Sequence, residues 1–145
     1  MKKEEYAQKL FTDGYNCAQA VVGAFSDIIP LDFDTLIKLA SPFGGGMGRL
    51  REVCGAVSGM FIVLGFLDGY TDSDNLTKKK EVYEKVQLLS KEFEKENGSI
   101  ICRELLGLSI KNDNPEPSKR TEEYYQKRPC VEMVKSAVRI LENNI

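Results

Sequence analysis

Apolar residues return every three or four positions along most of this chain. No stretch of useful length alternates with the period of two that a half-buried strand requires. The pattern divides into helices separated by short breaks. Residues 3–12 form a short amphipathic helix with Tyr6, Leu10 and Phe11 inward, broken at Asp13-Gly14, where Gly14 suits the positive φ of a helix C-cap. Asn16 is a good N-cap for a second helix, predicted over 17–29, which turns Cys17, Val21 and Ala24 inward with Phe25 and Ile28 beside them. Pro30 ends it. A third, shorter helix capped by Asp32 or Asp34 carries Leu36, Ile37 and Leu39 and stops at Ser41-Pro42.

The most apolar segment follows a glycine run. Gly44-Gly45-Gly46-Met47-Gly48 reads as a loop, and the spacing of Leu50, Val53, Cys54, Val57, Met60, Phe61, Leu64 and Leu67 predicts a helix over 50–67. Ile62, Val63 and Phe66 make its other faces apolar as well, and a helix apolar on all sides is one surrounded by protein. Gly55 and Gly59 cost this helix about 1 kcal/mol each against alanine. With Ala56 and Ser58 they leave a small-residue surface that a backbone or a bound group can approach closely. Asp68-Gly69 closes the helix, and a polar loop over 71–75 follows.

A long charged helix over 76–96 keeps Val82, Val86, Leu89 and Phe93 on one side and ends at Asn97-Gly98. Ser99 caps a short helix holding Cys102, Leu105 and Leu106. Residues 111–119, with Pro115 and Pro117, are a loop, and 122–126 form a turn of helix. Pro129 suits the first position of a last helix over 130–143, whose stripe is Val131, Val134, Val138 and Leu141. The expected fold is an all-α, single-domain helical bundle spanning residues 1–145, with a buried central helix.

Composition narrows the chemistry mainly by what is missing. The chain has no histidine, which removes histidine acid–base catalysis, histidine metal ligation and histidine-ligated haem. It has no Cys-x-x-Cys pair, which removes the thioredoxin motif and the usual zinc-ribbon spacing. A formal net charge of -2 implies no broad basic surface for nucleic acid. The longest apolar run, 60–67, is far too short to span a bilayer, and the charged start of the chain carries no signal-peptide core, so a cytoplasmic location without membrane insertion is expected. In that reducing compartment four cysteines are not expected to form permanent disulfides.

Those four, Cys17, Cys54, Cys102 and Cys130, lie far apart along the chain, yet each falls at or near a predicted helix start. Helix N-termini present free N–H groups and a partial positive charge, which favour the thiolate that attacks disulfides and binds metals. Convergence of the four on one site is therefore expected. Such a site suits an iron–sulfur cluster, another Cys-ligated metal such as zinc, or an exchangeable dithiol pair. Buried cysteines with no chemistry are the plain alternative. Gly44, Gly45, Gly46 and Gly55 are candidates for backbone close to a cofactor. The glycine run is not followed by Gly-Lys-Ser/Thr, so no nucleotide is expected. Arg49 and Arg51 either bring positive charge to Cys54 or are solvated surface residues.

Asn16-Cys17-Ala18-Gln19 after Gly14-Tyr15, the run from Phe43 to Gly48, and Cys54-Gly55-Ala56-Val57-Ser58-Gly59, followed by the single Cys102 and Cys130, resemble the family named for the pattern C_GCAxxG_C_C. The chain reads Cys54-Gly55-Ala56 where the pattern's name writes Gly-Cys-Ala. The resemblance covers nearly the whole chain and implies redox activity at Cys17, Cys54, Cys102 and Cys130. The family is also similar to the cluster-bearing part of split-Soret cytochromes, which implies an iron–sulfur centre, although their Cys-x-x-Cys-His haem attachment is absent here. The leading expectation is electron transfer or sensing at a Cys-ligated metal centre. A thiol–disulfide oxidoreductase with Cys54 as attacking thiol is second. A structural or binding protein, either metal-free or holding zinc through its four cysteines, is third. Neither the redox partner nor the oligomeric state is legible.

Overall fold

Each helix predicted from apolar spacing has a counterpart in the computed structural model, which describes residues 1–110 and 112–145 and, at Lys127, the backbone alone. Lys111, the first residue of the expected 111–119 loop, lies outside the described residues. The order is α1 (Lys3–Thr12), α2 (Cys17–Ala24), α3 (Phe33–Ala40), a 3-10 turn (Ser41–Phe43), the single turn α4 (Gly44–Met47), α5 (Gly55–Asp68), α6 (Leu76–Asn97), α7 (Cys102–Leu105), α8 (Glu122–Lys127) and α9 (Cys130–Glu142). The fold is all-α. Among the described residues the only β-type pairing is one antiparallel bridge between Val53 and Ile101.

Helix α5 is the centre. Its residues from Gly55 to Met60, then Val63 and Leu64, are buried against α2, α9 and α6. Helix α1 covers α2 and α9 from outside, closing the core with Ala7, Leu10 and Phe11. The last helix is strongly amphipathic, and Val134, Ala137, Val138 and Leu141 of its stripe are fully buried. Helix α6 contributes chiefly Leu89 and Phe93, while Leu76, Tyr83 and Leu88 stand exposed on it.

The closest packing is between α2 and α5, and the glycines of α5 permit it. A Cβ on Gly59 would sit 2.9 Å from the Ala18 carbonyl oxygen and 3.0 Å from Val21 Cβ. One on Gly55 would sit 2.9 Å from the Phe43 carbonyl oxygen and 3.1 Å from Cys17 Cβ. Helix propensity is given up at these positions because the neighbouring backbone occupies the space a side chain would need.

Several predicted boundaries move. The central helix starts at Gly55, five residues later than its apolar spacing indicates. Arg49 and Arg51 take φ of +68° and +59°, which a right-handed helix excludes, and Leu50 is 44% exposed. Phe66 and Leu67 are also partly exposed, so the C-terminal turn of α5 is not enclosed. Helix α2 ends at Ala24, because the chain turns through Phe25 to Ile28 before reaching Pro30. The glycine run is a single tight turn rather than an open loop. Asp32, not Asp34, caps α3, by accepting from the Thr35 N–H at 3.0 Å. Ile101, not Ser99, is the N-cap residue of α7, and Pro129 sits at the N-cap of α9 rather than at its first helical position.

The close α2–α5 contact sets up a paired test. Gly59→Leu should lower stability by about 1–3 kcal/mol through overpacking, read as a lower denaturant midpoint. Gly65→Ala, on the open face of the same helix where nothing lies within 4 Å of the added Cβ, should raise stability by about 0.4–1 kcal/mol. Equal midpoints in the two variants would show that α2 does not enforce the glycine.

Candidate functional site

Two local devices place Cys17 and Cys54. Asn16 caps α2 by accepting from the Gln19 N–H at 2.9 Å, while the Gln19 side chain accepts from the Asn16 N–H at 3.0 Å. The Asn16 side-chain amide also donates to the Ser41 carbonyl at 3.0 Å, which ties the start of α2 to the glycine turn. Cys17 is the first residue of α2, and Cys54 is the N-cap residue of α5. Cys54 is fixed from outside its helix, where its N–H donates to the Ile100 carbonyl at 2.7 Å.

The pairing that fixes Cys54 also places Cys102. Next to the Val53–Ile101 bridge, the Cys102 N–H donates to the Glu52 carbonyl at 2.6 Å, so the strand-like residue pair brings Cys54 and Cys102 to one cavity. The glycine turn fits under Cys102 only because it lacks side chains. A Cβ on Gly46 would lie 2.6 Å from Cys102 Cβ, and one on Gly44 would lie 2.5 Å from the Asn16 side chain. Gly45 and Gly46 both hold φ of +70°. Cys130 opens α9 and faces Cys17 at hydrogen-bonding range.

All four cysteines are free thiols and all four line one cavity of about 530 Å³. Cys54, Cys102 and Cys130 are buried as residues, while Cys17 is half-buried. Gly44, Gly45, Gly46 and Gly55, the candidate backbone contacts, line the same cavity. Among the described residues no three histidine, cysteine, aspartate or glutamate side chains are drawn together tightly enough to hold one metal ion. The sulfurs surround a space rather than a point.

The electrostatics differ from one sulfur to the next. The hydrogen bond from Cys17 pulls Cys130 down to about 7, with help from the charges of Arg128 and Arg120 and from the Tyr124 hydroxyl, against the cost of burial. Cys17 moves far in the opposite direction, because it keeps the proton the pair shares and is desolvated as well. Burial pushes Cys54 up to about 12. Burial also raises Cys102, opposed by a hydrogen bond from the Arg51 guanidinium at 3.6 Å. The helix-start argument, applied uniformly, expects four acidified thiols. One is found: the bond to Cys130 keeps the proton on Cys17, and desolvation outweighs the helix N-terminus at Cys54 and Cys102. The acidified thiol is Cys130, whereas Cys54 is the expected attacking thiol.

Arg51 is the other departure. It is 2% exposed, so it is not a solvated surface arginine, and it bonds to Cys102 rather than to Cys54. Its Nε and Nη2 donate to Asp113 Oδ2 at 3.3 and 3.0 Å, and Arg49 Nη2 donates to the same oxygen at 3.0 Å. Arg49 also donates to the Asn114 carbonyl at 2.7 Å and to Ser118 Oγ at 3.1 Å, which pins the proline-bearing segment over the cavity. Arg120 donates to the Phe11 and Tyr15 carbonyls at 2.7 and 2.9 Å with its guanidinium 4.2 Å above the Phe11 ring. Asp113, Arg120, Tyr124 and Arg128 are functional neighbours that the sequence reading did not single out. They lie in a segment without periodicity, where only a fold brings them to the cysteines.

A family model described as "Putative redox-active protein (C_GCAxxG_C_C)" matches residues 15–144, and the chain belongs to that family. No curated protein and no solved structure matches it. Among the described residues no helix is long and apolar enough to cross a membrane.

The uneven thiols give a pH test on reduced, metal-free protein. Iodoacetamide should label Cys130 first, with a rate that rises through a midpoint near 7, while Cys54 stays unlabelled until the pH approaches 12. The folded-state value of Cys130 lies below its ordinary 9.0, so its ionisation adds stability as pH climbs from about 7 to 9, and that part is lost as pH falls through 7. Peptide mass spectrometry of quenched samples reads the labelling order, and labelling of Cys54 ahead of Cys130 would refute the assignment.

Proposed function

We propose that this member of the C_GCAxxG_C_C family is a cytoplasmic electron-transfer or sensing protein whose Cys17, Cys54, Cys102 and Cys130 hold an iron–sulfur cluster or another Cys-ligated metal centre. One observation carries the reading: four cysteines from four separate segments, the chain's full complement, line a single cavity. A cluster suits the cavity better than a lone ion. Tetrahedral zinc, with Zn–S of about 2.3 Å, draws its four thiolates to about 3.8 Å from one another, and no such grouping is present among the described residues. A cluster holds its cysteines farther apart, because its own iron and sulfide lie between them.

The residues of the chain match that use. The four thiols supply the ligands. Gly44, Gly45 and Gly46 leave the cavity wall free of side chains on one side. Arg51 donates to the Cys102 sulfur, and Arg49, Arg120 and Arg128 add positive charge around thiolates that would otherwise repel one another. Phe11, Leu105, Leu106 and Met133 limit water at the site. When bound, a centre of this kind supplies one-electron exchange, with a potential set by net charge, hydrogen bonds to sulfur and solvent exposure.

The contact between Cys17 and Cys130 favours a second reading, a dithiol–disulfide oxidoreductase. In that reaction the Cys130 thiolate and the Cys17 thiol form one S–S bond, releasing a proton and passing two electrons to an oxidised disulfide acceptor. The acceptor's S–S bond breaks, and it leaves as a dithiol after taking up the released proton and a second one from solvent.

Anaerobic reconstitution with iron and sulfide separates the two. The expected result is a coloured protein with bound iron and sulfide. Cys17→Ser, Cys54→Ser, Cys102→Ser and Cys130→Ser should each lower occupancy to a similar extent, and their effects should not add, because the sulfurs share one job. A colourless, metal-free product that forms a reversible Cys17–Cys130 disulfide would transfer the function to the dithiol reading. Wild-type metal content and thiol reactivity in all four variants would reject both.

A further inference from the structure

With its cysteines as free thiols, the cavity has a positively charged wall. Arg49, Arg51, Arg120 and Arg128 all line it, and among the described residues no aspartate, glutamate or lysine does. Arg49 and Arg51 are committed to the Asp113 carboxylate just behind the wall. Arg120 is held by two neutral carbonyls, which orient its guanidinium without balancing its charge. The Arg128 guanidinium lies 5.2 Å above the Tyr124 ring, and that of Arg120 lies 5.1 Å from the same ring. Among the described residues neither makes an ion pair with a carboxylate. Two cations therefore lie against one aromatic ring at the cavity wall.

The rest of the wall is apolar. Phe11, Leu105, Leu106, Met133, Pro115 and Pro117 face the same space. At about 530 Å³ the cavity falls within the range of small-molecule sites, about 300–1,000 Å³. Guanidinium forks match the two oxygens of a carboxylate, and a low-dielectric surround strengthens the pairing. Apolar walls favour a singly charged organic anion over a small, strongly hydrated one such as inorganic phosphate.

We infer that this cavity binds a small organic carboxylate, its carboxylate group held by Arg128 and Arg120 beside Tyr124 and its apolar body against Leu105, Leu106 and Met133. The inference rests on the reading of this cavity as the redox site, and it names the class of molecule that meets the cysteines there. Arg128 is the anchor to test, because it is not tied to backbone as Arg120 is.

Isothermal titration with benzoate as probe, against benzamide and inorganic phosphate, tests this on both metal-free and reconstituted protein. Benzoate should bind both forms, with benzamide and phosphate each weaker by about tenfold or more, and Arg128→Gln should weaken benzoate by about tenfold with an unchanged melting temperature. Lys80→Gln, on the exposed face of α6, should leave benzoate binding as it was. Equal binding of benzamide, or full benzoate binding by Arg128→Gln, would overturn the inference. Benzoate binding confined to the metal-free protein would also overturn it, because the arginines would then serve only to balance a bound centre. If no centre can be reconstituted, the metal-free titration still decides the question, so failure of the cluster reading and failure of the carboxylate site give different results.

Discussion

The approach of α5 to α2 is the constraint on which the site depends. Gly59 allows the Ala18 carbonyl to lie where a side chain would otherwise be, and Gly55 does the same for Cys17. The two helix starts are thereby brought level, with Cys17 leading α2 and Cys54 capping α5. Helix α9 packs on both, so its first residue, Cys130, arrives at the same place. Helix packing brings three of the four sulfurs together, and the backbone bond to the Ile100 carbonyl fixes Cys54 as well. The fourth, Cys102, needs a different device, the short backbone pairing of 52–54 with 100–102, because α7 is a single turn and has no packing surface large enough to place anything.

A buried arginine holds the other half of the cavity in place. Removing a guanidinium from water is costly unless its charge and its N–H groups are met. Arg51 is met on both sides, by the Asp113 carboxylate and by the Cys102 sulfur, and its own carbonyl accepts from Arg103. Because Asp113 also receives Arg49, one carboxylate joins the glycine turn to the segment that covers the cavity. The positive φ at Arg49 and Arg51, uncommon for residues with side chains, is the local strain of sending both guanidiniums toward that carboxylate. An apolar residue at 51 could fill the volume but could not reach both the acid and the sulfur.

How much of this the sequence carried depends on the range of the interaction. Periodicity identified the helices, and the small residues of α5 marked the close-packed face. The four cysteines were legible as one set because each stands at or beside a helix start. Residues 50–54 were misread as helix because Leu50, Val53 and Cys54 fall in phase with Val57 by coincidence. The competing signal, two arginines bracketing Leu50 after a glycine turn, has no periodicity to detect. Arg120, Tyr124 and Arg128 were beyond reach for the same reason: they meet the cysteines through a segment with no apolar pattern, and only the hydrogen bonds from Arg120 to Phe11 and Tyr15 reveal where it lies.

The uneven acidity of the thiols follows from this two-part construction. A helix N-terminus acidifies a cysteine only if burial does not cost more than the dipole returns. Cys54 is buried at the start of α5, and the N–H groups of Ala56 and Val57 do not compensate for its desolvation. Cys130 stands at the seam between packed helices and the arginine-bearing segment, where Cys17, Arg128, Arg120 and Tyr124 all favour its ionised form. A group that binds through all four sulfurs must therefore supply positive charge of its own at Cys54, since the protein supplies little there. A reaction that needs only one free thiolate at neutral pH finds it at Cys130. The cavity thus has a helical side, where burial keeps the Cys54 thiol protonated, and an arginine side, where charge favours the Cys130 thiolate.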